Sequence, residues 1–334
     1  MFVQSLPRIL QKSKFRGSEL DNLLNSVSLE TNQLVAPLFL REHRPKVPRT
    51  DLFPDFSAVS IEDTVFKVRQ LMKMGISSVI LFGIPSLRDS IGTAASSRSG
   101  IVQRTVRKLK EEFGKELTII TDVCLCQYNL SGQCGLSDLT DDAIGNDITV
   151  QSLSEIAKTH AQAGADVVSP SSMMDGQVKS IRTILDEAGF KKIKIYPYSL
   201  KYASSLYSPF RSLAFSEQIM DHVHIDKSSY QIPFMNSSES IREIQNDILE
   251  GADLTIIKPA ILYLDIISTV KEKFQFPLAA QNVSGEYAMI KSAGSLNWID
   301  EQTWIISSIC SMKRAGADLI ISYFCKDIAA LLNG

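Results

Sequence analysis

Two lysines and three cysteines are the residues of this chain whose types and spacing could do covalent chemistry. Residues 254–257 form a short apolar run that reads as a buried strand; it ends on Lys258, and Pro259 stops it. A lysine at the mouth of an apolar strand is costly to desolvate while charged, so its pKa should fall. A neutral amine attacks carbonyl carbon, the chemistry of Schiff-base enzymes. Taken alone, Lys258 reads as a solvated strand-end lysine. A second lysine in a similar setting, Lys201, and a cluster of Cys124, Cys126 and Cys134 change that reading.

The cysteine spacing, one residue and then seven, suits a single metal. Three thiolates with no fourth cysteine nearby leave one tetrahedral position open, the pattern of a catalytic zinc. Zinc there would polarise a carbonyl or hold an amine as a Lewis acid. A closed structural site with a distant fourth ligand, His222 or His224, is a competing reading, and three free thiols are another. Arg211 and Lys227 frame a lid-like loop, Lys227 just ahead of Tyr230 and Gln231. An arginine and a lysine presented at a cavity mouth suit carboxylate binding; they read equally as surface charges.

Eight short apolar runs must position these groups: residues 34–40, 78–82, 117–123, 166–169, 193–198, 254–257, 277–283 and 318–323. Helix-period segments lie between most of them, at 61–74, 101–113, 150–163, 177–188, 238–249, 264–274 and 301–315. Such alternation implies parallel strands joined by crossovers. Eight units in roughly 290 residues fit a closed (β/α)8 barrel, an α/β fold, better than an open sheet. Gly-Ala-Asp recurs at 164–166, 251–253 and 316–318, each time between a helix and a strand, which predicts one tight, structural face. The long connections, 124–148 and 199–237, then belong to the opposite face. In such a barrel catalytic groups project from the C-terminal strand ends. Reading those ends gives Asp122 with Cys124 and Cys126, Ser169–Ser172, Ser199 with Lys201, Lys258, Ser284 and Tyr323. Lys201 and Lys258 leave sequential strands, and two ammonium groups held close cannot both stay charged cheaply. One or both should be neutral near pH 7.

The 334 residues are 44% hydrophobic and 22% charged, with net charge −2. Nothing in that balance points to nucleic acid or a membrane surface, and no apolar run approaches the roughly 20 residues of a membrane span. Five cysteines, three of them crowded together, do not make a secreted disulfide framework, so a reducing, cytoplasmic location is expected. The first eighteen residues carry Arg8, Lys12, Lys14 and Arg16 and no acid before position 18. They read as a transit peptide or as an arm that docks on a partner subunit. The expected division is an N-terminal arm, residues 1–33, with a short helix near 18–25, and a barrel, residues 34–334.

Nearly the whole chain, from about Leu34 onward, resembles the porphobilinogen synthase (5-aminolevulinate dehydratase) family. The motifs are IITDVCLCQYNLSGQCG at 119–135, AGADVVSPSSMMDGQV at 163–178, YSLKYASSLYSPFR at 198–211, EGADLTIIKPAILYLDI at 250–266, NVSGEYAM at 282–289 and KRAGADLIISYF at 313–324. The resemblance implies a (β/α)8 barrel with an N-terminal arm embracing a neighbouring subunit, and a homo-octamer. It implies condensation of two 5-aminolevulinate molecules to porphobilinogen with loss of two waters, in tetrapyrrole biosynthesis. Lys258 and Lys201 match the Schiff-base lysines, and Cys124, Cys126 and Cys134 match the ligands of the catalytic zinc. Asp122 matches the carboxylate beside that site. Ser284 and Tyr323 match the groups that hold the carboxylate of the first-bound substrate. Arg211 and Lys227, with Gln231 nearby, match those that hold the second. Tyr207 and Phe210 match aromatic walls. Glu243 matches an acid that in some bacterial members holds an allosteric magnesium through water.

The chain departs from the family pattern in places. Ser172 stands for a usual Asp, Gln177 for a usual Arg and Gln281 for a usual pocket Tyr. Thr255 interrupts an apolar run, and the lid at 213–226, with His222 and His224, is atypical. Gln133 and Ser229 occupy positions of a second, non-catalytic zinc site in some members, so that site is expected to be absent. These departures keep two alternatives open: a degenerate homologue acting as a metal-binding oligomer, and a Schiff-base aldolase barrel, which needs one lysine and no thiolate zinc.

Overall fold

The computed structural model describes residues 29–42, 57–137, 144–214, 227–235 and 237–333. Most of the expected arm, with the helical stretch at 18–25 and Arg8, Lys12, Lys14 and Arg16, lies outside the described residues. So do His222 and His224. Each of the eight apolar runs contributes to one parallel sheet: β1 (Leu34–Arg41), β2 (Ser78–Ile84), β3 (Thr118–Val123), β4 (Val167–Pro170), β5 in two pieces (Lys194–Ile195 and Leu200–Lys201), β6 (Thr255–Lys258), β7 (Leu278–Gln281) and β8 (Leu319–Ile321). A two-residue strand, Ala58–Val59, adds to β1.

The sheet closes through β5. Tyr196 and Tyr198 donate their amides to Val168 and Pro170 of β4, while Pro197 accepts from Ile256 of β6. The run expected as one strand is split because Pro197 has no N–H, so the rung it would have given to β6 is missing. The ladder resumes at Leu200–Lys201, which pair with Ile257–Lys258.

Helices cover the outside: α1 (Ile61–Lys73), α2 (Ile101–Phe113), α3 (Asn146–Ala163), α4 (Gln177–Glu187), α5 (Ser208–Ala214), α6 (Ser237–Glu250), α7 (Leu264–Phe274), α8 (Ser284–Ser295), α9 (Glu301–Ala315) and α10 (Cys325–Asn333). Their apolar faces pack on strands that are themselves fully buried, such as Val79, Ile80 and Leu81 of β2. No helix among the described residues is long and apolar enough to cross a membrane.

The three Gly-Ala-Asp turns work identically. Gly164, Gly251 and Gly316 sit at φ 105°, 104° and 113°, a left-handed conformation that a side chain would strain. Each aspartate then turns back to the strand before it. Asp166 accepts the Ile119 amide at 2.7 Å, Asp253 the Ile195 amide at 2.9 Å and Asp318 the Leu278 amide at 2.8 Å. Amide donors at the starts of β3, β5 and β7 are thereby satisfied. This face is structural, and the chemistry-bearing residues project from the other.

Candidate active site

Lys201 and Lys258 are register partners across β5 and β6, so the barrel itself sets the two side chains next to each other. Both are buried and line one cavity that opens to solvent at its mouth. Asp122, Arg211, Lys227, Gln231, Ser284, Tyr323, Tyr207 and Phe210 line the same cavity, as does Cys126. Residues named from strand ends and from motifs therefore share one wall system.

The two lysines differ electrically. Burial, then the neighbouring Lys201 charge, lowers Lys258 to about 7, with Asp122 opposing. Its ammonium nitrogen lies 3.6 Å from the Tyr198 ring centroid. Burial also pulls Lys201 down, but Cys134, Cys124, Cys126 and Asp122 together outweigh it and hold Lys201 above the ordinary lysine value. Lys201 donates to the Ser171 carbonyl at 2.6 Å and lies 3.6 Å from Cys134 Sγ. Of the expected pair, Lys258 is the one whose charge is lowered toward neutrality near pH 7.

Cys124, Cys126 and Cys134 are buried, with their sulfurs within 4.8 Å of one another. Cys124 and Cys126 approach to 3.4 Å. Cys134 is held well below the usual thiol range by hydrogen bonds from Cys124 and Cys126, then by the Lys201 and Lys227 charges. Burial pushes Cys124 up, and hydrogen bonding to its sulfur neighbours pushes Cys126 up. The loop backbone sets this geometry: the Cys134 amide donates to the Tyr230 hydroxyl at 3.1 Å. The buried triad can hold a metal ion. A three-thiolate donor set is soft, which fits zinc rather than magnesium or calcium.

Asp122 accepts from Ser171 Oγ at 2.6 Å and from Gln127 Nε2 at 3.1 Å. Burial pushes its carboxyl up, against the pull of Lys258 and Lys201. Ser284 opens α8, where Gly285 permits a close approach: a Cβ there would sit 2.5 Å from the Leu206 carbonyl. Ser284 Oγ accepts the Phe210 amide at 3.1 Å and donates to the Leu206 carbonyl at 3.3 Å. Burial raises the phenols of Tyr323 and Tyr207, so both stay protonated hydrogen-bond donors. Tyr207 donates to the Tyr202 carbonyl at 3.0 Å, and the Arg211 guanidinium lies 6.0 Å from the Tyr207 ring centroid.

The family model described as Delta-aminolevulinic acid dehydratase matches residues 9–331. The chain belongs to that family. It is 44% identical over 319 residues to a delta-aminolevulinic acid dehydratase of Methanothermobacter thermautotrophicus, covering 95% of each chain. It is 42% identical to that of Bacillus subtilis, covering 93% of this chain and 94% of the other. The crystal structure of the Toxoplasma gondii enzyme in complex with its reaction product porphobilinogen matches with a TM-score of 0.87 at 34% identity. That match covers 98% of this chain and 91% of the other. As a delta-aminolevulinic acid dehydratase, also called porphobilinogen synthase, the protein is a hydro-lyase of tetrapyrrole biosynthesis.

Some of the dehydratase residues sit otherwise than expected. Lys227 is buried, not a rim charge, and its ammonium lies 3.3 Å from Cys134 Sγ. Glu243 lines a different cavity, beside Asp175 and Asp247. It is half-buried, and burial, then Asp175 and Glu239, raise it to about 7. Ser172 and Gln177 are buried, and neither Ser172 Oγ nor Gln177 Oε1 has a hydrogen-bond partner among the described residues. Replacing an acid and an arginine by these neutral groups leaves orphaned polar atoms in place of charges.

Two groups escaped the strand-end reading. Gln127 orients Asp122, and its signal was its place directly after Cys126. Tyr198 lies beneath Lys258 and was legible only as the end of an apolar run.

The low Lys258 value has a direct consequence. The rate at which Lys258 forms a borohydride-reducible adduct with a keto acid should rise about tenfold per pH unit up to about 7 and then level off. A plateau reached only near pH 10 would contradict it.

Proposed function

We propose that the cavity condenses two 5-aminolevulinate molecules to porphobilinogen through imines on Lys258 and Lys201. The observation that carries this reading is Lys258, its pKa lowered by burial, register-paired with Lys201 one cavity wall away from a triad of thiols. The Lys258 amine adds to the keto carbon of the first substrate, and loss of water leaves the imine. Ser284 and Tyr323 hold that substrate's carboxylate; Ser284 exchanges its long bond to Leu206 for it. Arg211, with Lys227 and Gln231, holds the carboxylate of the second molecule. Lys201 is the second imine former. Its charge is sustained by thiolate sulfur, so neutralising that sulfur is what frees the amine. Asp122, placed between both lysines electrically, accepts and returns protons. One carbon–carbon and one carbon–nitrogen bond form between the two substrates, the lysines are released, and two waters leave overall. Tyr207 and Phe210 wall the cavity against water.

Cys124, Cys126 and Cys134 would hold zinc, which when bound supplies a Lewis acid beside Lys201. Incubating the purified protein with 5-aminolevulinate and zinc, then assaying for a pyrrole, tests the whole reading. Pyrrole formation is expected; its absence with zinc bound would overturn it.

Magnesium is a separate matter. The half-buried Glu243, raised by burial and by the neighbouring charges of Asp175 and Glu239, supports a hard-cation site holding its ligand partly through water. Glu243 does not line the cavity of the lysines, so its effect would pass through assembly, a homo-octamer built with the arm, residues 1–33. Magnesium should stimulate zinc-loaded protein and shift it to larger species on sizing. Glu243→Ala, or deletion of residues 1–33, should remove the shift. An equal magnesium response in wild type and Glu243→Ala would contradict the assignment.

A further inference from the structure

We propose that Gln281 reads the amino group of the substrate held on Lys258. The proposal rests on the reading above and adds a specificity determinant to it. On β7, Ala280 pairs with Ile257, which sets Gln281 level with Lys258; on its other side Gln281 pairs with Ile321 of β8. Its side chain lines the cavity with Lys258, Ser284 and Tyr323. The residue is 3% exposed, and its Oε1 has no hydrogen-bond partner among the described residues. The polar residues beside it are engaged. Asn282 accepts from Ser322 Oγ at 3.2 Å and donates to Glu286 at 3.4 Å. A buried acceptor without a partner needs an explanation, and of the orphaned polar side chains Gln281 is one that lines the lysine cavity. Here it faces the place where a ligand binds.

The chemistry of the ligand selects the contact. In 5-aminolevulinate the carboxylate and the ketone only accept hydrogen bonds. The amino group, one carbon beyond the ketone, is the donor that an orphaned amide oxygen can take. A carboxamide does this without charge. A carboxylate at position 281 would stabilise the protonated form of Lys258 and remove the nucleophile.

The test compares 5-aminolevulinate with 4-oxopentanoate, the same keto acid lacking the amine. Borohydride trapping on Lys258 gives a half-saturating concentration for each ligand, in wild type, Gln281→Leu and Gln281→Met. The variants should need about tenfold more 5-aminolevulinate, with the 4-oxopentanoate value changed less than about twofold. Unchanged trapping of 4-oxopentanoate also reports an intact cavity. Equal weakening for both ligands would place the carboxamide against the carboxylate and overturn the proposal. No change for either ligand, or loss of both in both variants, would overturn it as well. Pyrrole formation by the wild type is measured in the same preparations. Its absence alongside a selective loss for 5-aminolevulinate overturns the condensation reading and leaves the Gln281 contact standing.

Discussion

Lys258→Met is expected to lower porphobilinogen formation by at least about three orders of magnitude, because it removes the amine whose pKa burial lowers to about 7. Lys258→Arg should be as inactive: it keeps the charge but cannot form the imine. Neither loss should come from unfolding. A desolvated lysine is a cost to the folded state, so methionine at 258 should leave the unfolding temperature equal or higher. Lys201→Met should also stop turnover, yet leave Lys258 able to trap one substrate. Substantial activity in Lys258→Met, measured as pyrrole formed per enzyme, would remove the covalent reading.

Metal removal is the second large effect. Exhaustive chelation should lower turnover by about a hundredfold or more, and zinc should restore it. Magnesium alone should not, since a hard, oxygen-seeking ion does not replace a soft one at three sulfurs. Cys134→Ser should be inactive at all zinc concentrations, because it removes one of the three sulfurs and the one that Lys201 and Lys227 both approach. Metal analysis of the same samples checks occupancy, and full activity in metal-free protein would overturn the assignment.

The barrel was legible because parallel strands buried on both faces must be apolar runs and the helices between them must be amphipathic. The Gly-Ala-Asp repeats marked the structural face, but their aspartates' bonds to the preceding strands involve residues 40 to 58 positions away and leave no local pattern. Residues 284–295 escaped detection as a helix because two glycines and three serines weaken both propensity and amphipathicity. Helix α5 lay hidden inside a long polar connection.

In the site, strand ends and motifs named the residues that share the cavity. They did not give the electrical asymmetry of the lysines, which depends on sulfurs contributed by a loop nearly seventy positions before Lys201. Nor did they separate Lys227, buried on Cys134, from Arg211. Spacing alone carries no burial.

The most direct measurement is mass mapping of protein reduced with borohydride in the presence of 5-aminolevulinate. At limiting substrate the added mass should fall on a peptide containing Lys258, with Lys201 labelled in addition as substrate rises. Pyrrole formation in a parallel sample without borohydride should track the second label. A pyrrole formed with no label on Lys258, or a label confined to other lysines, would contradict the account.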